Sequence, residues 1–251
     1  MELRTVQATV LKSLFDGIKE ILLDINIVFT PTSIHSTAID GSKSACVHFT
    51  LDTSKFEHYT CVEDSFIIGI NMVSLHKLIR PITNGDVIFM KISKTDRFKL
   101  QIVIENSEKR TRMTSFLKLL DIDHQYFEIP NVEFDNVITM GCIDFQRHCK
   151  DMLNVSDRVH FLCSEDLLHM KFYGDFADFF VEINRNDSKE SVLEEIGIFS
   201  LKFINLFIKS SSLCTNVEIF LKRAYPLILV YKIGSLGKLQ FVLAPYNEND
   251  G

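Results

Sequence analysis

The sequence predicts an α+β protein built from two similar halves, and three observations carry that prediction. A strand-like segment occurs twice, as KLQIVIE at 99–105 and KLQFVLA at 238–244. Each copy follows the same succession of a short helical pattern, a polar turn and a β-rich run, in NMVSLHKLIRPITNGDVIFMKI and in FSLKFINLFIKSSSLCTNVEIFLK. Four segments place apolar residues at helical spacing, whereas most of the remaining chain reads as short strands.

The first helix is expected over 9–22, with Leu11, Leu14, Phe15, Ile18, Ile21 and Leu22 on one face. The second, 71–80, shows Met72, Leu75, Leu78 and Ile79, and a strand follows over Val87–Ile92 after a turn marked by Asn84 and Gly85. The third, 143–154, carries Phe145, His148, Cys149 and Met152. The fourth, 200–209, carries Leu201, Ile204, Phe207 and Ile208, with a strand over Val217–Leu221 behind it. Each half thus reads strand, helix, several strands, helix, several strands. The expected division is 1–117, a connector 118–135, and 136–251. Ile129-Pro130 makes that connector extended, because the residue before proline is driven out of the α region. Its Tyr126, Phe127 and Ile129 suit either packing against the body or one wall of a docking groove.

Charge is distributed unevenly. The formal net charge is −6, which alone argues against a generally basic nucleic-acid binder. Yet the four helical spans hold Lys12, Lys19, Lys77, Arg80, Arg147, Lys150, Lys202 and Lys209 against Asp16, Glu20, Asp144 and Asp151, a balance of +4 that leaves −10 for the remainder. The basic pairs are three or seven residues apart, so both members of each share a helical face. Such a surface suits sequence-independent, salt-sensitive contact with phosphates. Aromatic interleaving for stacking single strands and an Asn/Gln/Arg-rich recognition helix are both missing from it.

The chemistry of an enzyme is not apparent. GSLGKLQ at 234–240 lacks the spacing and hydroxyl of a phosphate loop, and no H-E-x-x-H or G-x-S-x-G occurs. Asp121 and Asp123 alternate with Leu120 and Ile122, which reads as an exposed face rather than a metal pair. His48, His160 and His169 sit in β-like runs as structural histidines. The six cysteines show no C-x-x-C and no zinc spacing, as expected of free thiols in a reducing compartment. No 18-residue apolar run and no signal-peptide layout is present, so the expected setting is intracellular. No cofactor is implied, and a binding or scaffolding role is favoured.

The stretches QATVLKSLFDGIKEIL, TAIDGSKSACVHFTL, GINMVSLHKLIR, LKLLDID, IPNVEF, DFQRHCKDM and YKIGSLGKLQFVLAP resemble proliferating cell nuclear antigen, the eukaryotic-type DNA sliding clamp family, along essentially the whole chain. The resemblance implies the DNA clamp fold: antiparallel sheets outside and helices lining the central hole of a ring. It implies a head-to-tail homotrimer, a processivity role in replication and repair, and nuclear localisation. The implied partners are double-stranded DNA, polymerases and other proteins with short docking motifs, and an ATP-dependent clamp loader. The eight basic residues would face the DNA. The subunit contact would use Thr111, Ser115 and Leu117 of one subunit with Phe176, Asp178 and Val181 of the next. The docking groove would comprise Ile39, Lys43, Cys46, Phe127, Ile129, Pro226, Val242, Ala244 and Pro245, and take a helical turn bearing an aliphatic and two aromatic side chains plus a glutamine.

Some positions depart from the family pattern. Val242 replaces the usual aromatic, Phe127 the usual Leu, and Lys43 the common His. Ser13 stands where a second lysine often follows Lys12, and Glu165 where a ubiquitin-accepting lysine is frequent. These departures point to a divergent eukaryote or a large DNA virus. The alternative of a different class is a docking adaptor, or a subunit of a checkpoint-type heterotrimeric clamp, that does not encircle DNA as a homotrimer.

Overall fold

The computed structural model describes residues 1–123, 132–134, 136–164, 167–184 and 194–246. Two compact units account for the chain: residues 1–41, 47–128 and 232–239 form one, and 42–46, 129–231 and 240–251 the other.

In the first unit, β1 (Glu2–Thr5) leads into α1 (Ala8–Ile18), then β2 (Asp24–Phe29), β3 (Ser33–Ile39), β4 (Ala45–Asp52), β5 (His58–Thr60) and β6 (Phe66–Asn71). There follow α2 (Met72–Ile79), β7 (Val87–Lys91), β8 (Lys99–Asn106) and β9 (Thr111–Lys118). One sheet runs in the order β5–β1–β7–β8–β9, with each neighbouring pair antiparallel. A second run places β4, β3, β2 and β6 side by side. Alternation along β8 buries Leu100, Ile102 and Ile104 on one face, and Val103 is buried on the other. Leu11, Leu14, Phe15 and Ile18 of α1 and Met72, Leu75 and Ile79 of α2 are buried, as their spacing predicts. Phe15 meets Phe49 edge to face, with ring centroids 6.3 Å apart, an arrangement worth about 0.5–1.5 kcal/mol beyond its burial. The side-chain oxygen of Asn71 caps α2 by accepting from the Ser74 N–H at 2.9 Å, while its amide donates to Asp24 Oδ1 at 2.7 Å.

The second unit repeats the plan: β10 (Asn136–Gly141), α3 (Cys142–Met152), β11 (Arg158–Cys163), β12 (Leu167–Tyr173), β13 (Asp178–Asn184), β14 (Glu194–Ser200), α4 (Leu201–Phe207), β15 (Asn216–Leu221), β16 (Leu227–Ile233) and β17 (Gly237–Leu243). One sheet is ordered β13–β12–β11–β14, and β10, β15, β16 and β17 lie in that order in another. Phe207 stacks on Phe241 at 4.5 Å with the rings 10° from parallel. The helix pattern recurs residue by residue between α2 and α3. Cys142, Phe145 and Cys149 are buried at the same offsets as Met72, Leu75 and Ile79. Arg147 and Lys150 are exposed at the offsets of Lys77 and Arg80.

The expected helix spans differ from the observed ones mainly at their C-termini. α1 stops at Ile18, with Lys19 as its C-cap, so Ile21 and Leu22 lie in the turn beyond. α4 tightens after Phe207 into a 3₁₀ turn over Ile208–Ser212, a common way of satisfying the last carbonyls. Gly85 has φ of +84°, the left-handed geometry its place in the turn requires. GSLGKLQ forms a hairpin turn, with Gly234 at φ +52° and the Leu236 N–H donating to Ile233 O at 2.9 Å. Of the expected connector, Lys118 belongs to β9 and Leu120 forms an antiparallel bridge with Gly69. A Cβ at Gly69 would sit 2.4 Å from Leu120 O, so the glycine permits that close approach.

Candidate nucleic-acid and partner interfaces

The basic side chains of the first unit converge where α1 packs on α2. Lys12 Nζ donates to Arg80 O at 2.8 Å and to Ile82 O at 2.9 Å. The ammonium thus clasps the carbonyl end of α2, where the helix dipole favours a cation. Lys19 Nζ lies 3.0 Å from Asp16 Oδ1, and His76 Nε2 lies 2.8 Å from the same oxygen. Lys77 and Arg80 are exposed and form no ion pair among the described residues. The four sequence-expected cations of this unit therefore share one surface, but in two roles. Lys12 and Lys19 are engaged within the protein, while Lys77 and Arg80 extend outward.

The second unit makes the same clasp with a neutral residue. Gln146 occupies the position in α3 that Lys12 holds in α1, and its Nε2 donates to Ile208 O at the end of α4, at 3.1 Å. Asn205 returns the contact by donating to Cys149 O at 3.3 Å. The requirement at this helix position is a donor that reaches the neighbouring helix end; positive charge is optional. Arg147 lies 3.4 Å from Asp144 and stays exposed, a pair worth little at the surface. Lys150, Lys202 and Lys209 are also exposed.

Among the strands that end their sheets are β9 and β13. β9 is the last strand of its five-stranded order and β13 the last of its four. Unpaired edges of this kind invite another strand unless blocked. Both edges expose large apolar side chains: Met113 and Phe116 on β9, Phe179 and Phe180 on β13, and Phe176 just before it, 77% exposed. Thr111 and Asp178 are exposed at the strand starts and Val181 is half-buried, but Leu117 is buried and the Ser115 hydroxyl faces Ile102 O at 3.4 Å. Flanking charges differ in sign, with Arg110, Arg112 and Lys118 about β9 and Asp175, Asp178 and Glu182 about β13. Met113, Phe116, Phe179 and Phe180 fall within the segments 111–117 and 176–181 that the resemblance marks for the contact, but their exposure is not encoded in local sequence.

The groove residues divide between the units. Ile39, in the first, is 37% exposed. In the second, the Ala244 N–H donates to Ser44 O at 2.9 Å, which ties the turn bearing Lys43, next to Cys46 at the start of β4, to the chain after β17. Lys43 is exposed with φ of +60°. Burial pushes the half-buried Cys46 thiol up to about 11, so it acts as a neutral apolar group. Pro226, Val242 and Pro245 are half-buried and Ala244 is exposed. Phe134 packs edge to face on Phe220 and Tyr225, at 5.5 and 5.8 Å. Phe127, Ile129 and Glu165 lie outside the described residues.

Among the described residues, no three His, Cys, Asp or Glu side chains cluster as a metal site, and no helix is long and apolar enough to cross a membrane. All six cysteines are free; Cys142 and Cys214 approach with Sγ atoms 3.9 Å apart.

Family models for the N-terminal and C-terminal domains of proliferating cell nuclear antigen match residues 1–126 and 128–246. A protein named probable DNA polymerase sliding clamp 1, from Paramecium bursaria Chlorella virus 1, is 37% identical over 97% of this chain and 95% of its own length. Proliferating cell nuclear antigen of Chaetomium thermophilum is 32% identical over 100% of this chain and 99% of its own. With two successive domains matched and relatives aligned nearly end to end, the chain belongs to the proliferating cell nuclear antigen family of DNA sliding clamps, non-enzymatic processivity factors.

Proposed function

We propose that this sliding clamp works as a homotrimeric ring that encircles duplex DNA and tethers polymerase and other replication and repair proteins. The observation that carries the reading is the pair of unpaired edge strands, β9 and β13, each with exposed apolar residues and with flanking charges of opposite sign. Head-to-tail pairing of β9 on β13 would extend both sheets and bury Phe116 against Phe179 or Phe180. A heterologous contact of this kind forms a closed ring when its rotation closes.

Within such a ring the exposed Lys77, Arg80, Arg147, Lys150, Lys202 and Lys209 meet phosphates. Their repetition at equal offsets in α2 and α3 suits a surface that follows the duplex backbone without reading bases. Lysine ammonium groups on mobile stems exchange partners readily, which suits sliding. Partner proteins dock by apolar anchors at a site that includes Cys46, Pro226, Val242, Ala244 and Pro245 of the second unit. In this reading a separate ATP-dependent loader opens the ring, as the family resemblance implies. The protein then acts where DNA is replicated, in the nucleus or, for a viral gene, at the viral replication site.

Mass determination in solution tests the assembly. The subunit is 28.9 kDa, so the ring is three times that, about 87 kDa. A monomer that assembles only with other chains would instead favour the heterotrimer or adaptor reading.

A further inference from the structure

We infer that the docking groove continues into a cationic cleft that selects partner peptides with acidic residues flanking their apolar anchors. The inference rests on the reading of Pro245 as a groove wall. An open cleft of about 740 Å³ lies within the second unit, between the outer faces of β11, β12 and β14 and the chain that follows β17. Pro245 lines it together with Lys171, Glu195, Arg223 and Tyr246, so one residue belongs to both the groove wall and the cleft.

The cleft rim is fixed. The Tyr246 N–H donates to Ile198 O at 2.7 Å, and the Arg158 guanidinium lies 3.5 Å from the centre of the Tyr246 ring. Such stacking holds a cation in place without neutralising it. The charge balance is one-sided. Arg158, Lys171 and Arg223 form no ion pair among the described residues, and the Lys171 ammonium lies 5.8 Å from the Phe180 ring. The carboxylate in the lining, Glu195, already lies 3.2 Å from His160 Nδ1. Three cations beside an apolar anchor site, against the one lining carboxylate of Glu195, leave an excess of positive charge that an acidic segment entering next to the anchors would balance. Charges at a rim of this kind set partner choice and association rate more than raw affinity.

The test titrates the full-length chain with three labelled peptides. All carry the same docking turn; one has neutral flanks, one three acidic residues before the turn, and one three acidic residues after it. The expected result is that one acidic peptide binds about three- to tenfold more tightly than the neutral one at ~50 mM salt, the scale of two or three exposed ion pairs. That advantage should fade by ~500 mM salt, where screening is nearly complete at contact range. K171E/R223E should abolish the advantage and leave the neutral peptide's Kd unchanged, and Pro245→Ala should weaken all three alike. Neutral and acidic peptides binding equally would overturn the cleft and leave the groove standing. If none of the three bound, the groove reading would fall and the cleft with it.

Discussion

Replacing Lys12 separates two roles that look identical in the sequence. The Lys12 ammonium makes two charge-assisted bonds, at 2.8 and 2.9 Å, to carbonyls at the end of α2. Hydrogen bonds to charged groups contribute about 1.5–3 kcal/mol when well sheltered. One of these two is exposed and the other part-buried, so the pair together is worth about 1–2 kcal/mol. K12A should therefore lower the stability of the full-length chain by that amount in urea denaturation, with little change in m-value. K12Q, which copies Gln146, should recover about half, because one neutral donor can still reach the helix end as it does at 3.1 Å in the second unit. DNA retention of K12Q should match the parent protein. The reasoning is refuted if K12A and K12Q both keep full stability and both lose DNA retention, since Lys12 would then contact phosphate.

Four further outcomes follow from the described geometry. K77A/R80A/K150A/K202A should keep the oligomer intact, reduce polymerase stimulation and flatten the dependence of log K on log salt by about 0.9 for each phosphate no longer neutralised; an unchanged slope would remove these residues from the DNA-facing set. Phe116→Glu, on the β9 edge where Phe116 is 60% exposed, should convert the proposed ring to monomers without lowering subunit stability, as read by solution mass and urea midpoint; a variant that stays trimeric would place the subunit contact elsewhere. Pro245→Ala should weaken docking peptides by about 1–2 kcal/mol, roughly five- to thirtyfold in Kd, and unaltered affinity would exclude that wall. His48, bonded to Thr37 and Thr50 hydroxyls at 2.8 and 2.9 Å, is pushed down to about 4 by burial, with His35 and Lys238 adding to the effect. The unfolded chain protonates it first, near the ordinary value of 6.5, so the stability it lends is full above that pH. As pH falls from 6.5 towards 4, about 1–3 kcal/mol is lost, allowing for the ring's partial exposure. His48→Gln should flatten the pH dependence of the urea midpoint in that window, and a slope equal to the parent's would assign the acid sensitivity to other groups.

Helices and repeats were legible in the sequence because buried positions recur every three to four residues. Met72, Leu75 and Ile79, and Phe145, Cys149 and Met152, leave little choice about which face is covered. Strand copies such as KLQIVIE were legible because their alternation survives duplication. The use of each cation was not. Lys12 acts on carbonyls 68 and 70 residues away, a pairing that helical spacing does not encode, whereas Lys77 shows the same local pattern and stays outward. Edge aromatics were hidden for a related reason. Phe116 and Phe180 are exposed on β9 and β13, which end their sheets, and strand order is a property of the fold. The groove residues were named only through the family resemblance, because the Ala244–Ser44 bond that draws Lys43 and Cys46 beside the chain after β17 joins residues far apart in the chain.

Retention on DNA of defined topology tests encirclement most directly. Protein loaded by a clamp loader onto a nicked circular duplex, and washed at a salt concentration that dissolves phosphate contacts, should stay on the circle and be lost once a restriction cut gives it free ends. Equal retention on circular and linear DNA under that wash, or equal loss from both, would contradict a ring threaded by the duplex.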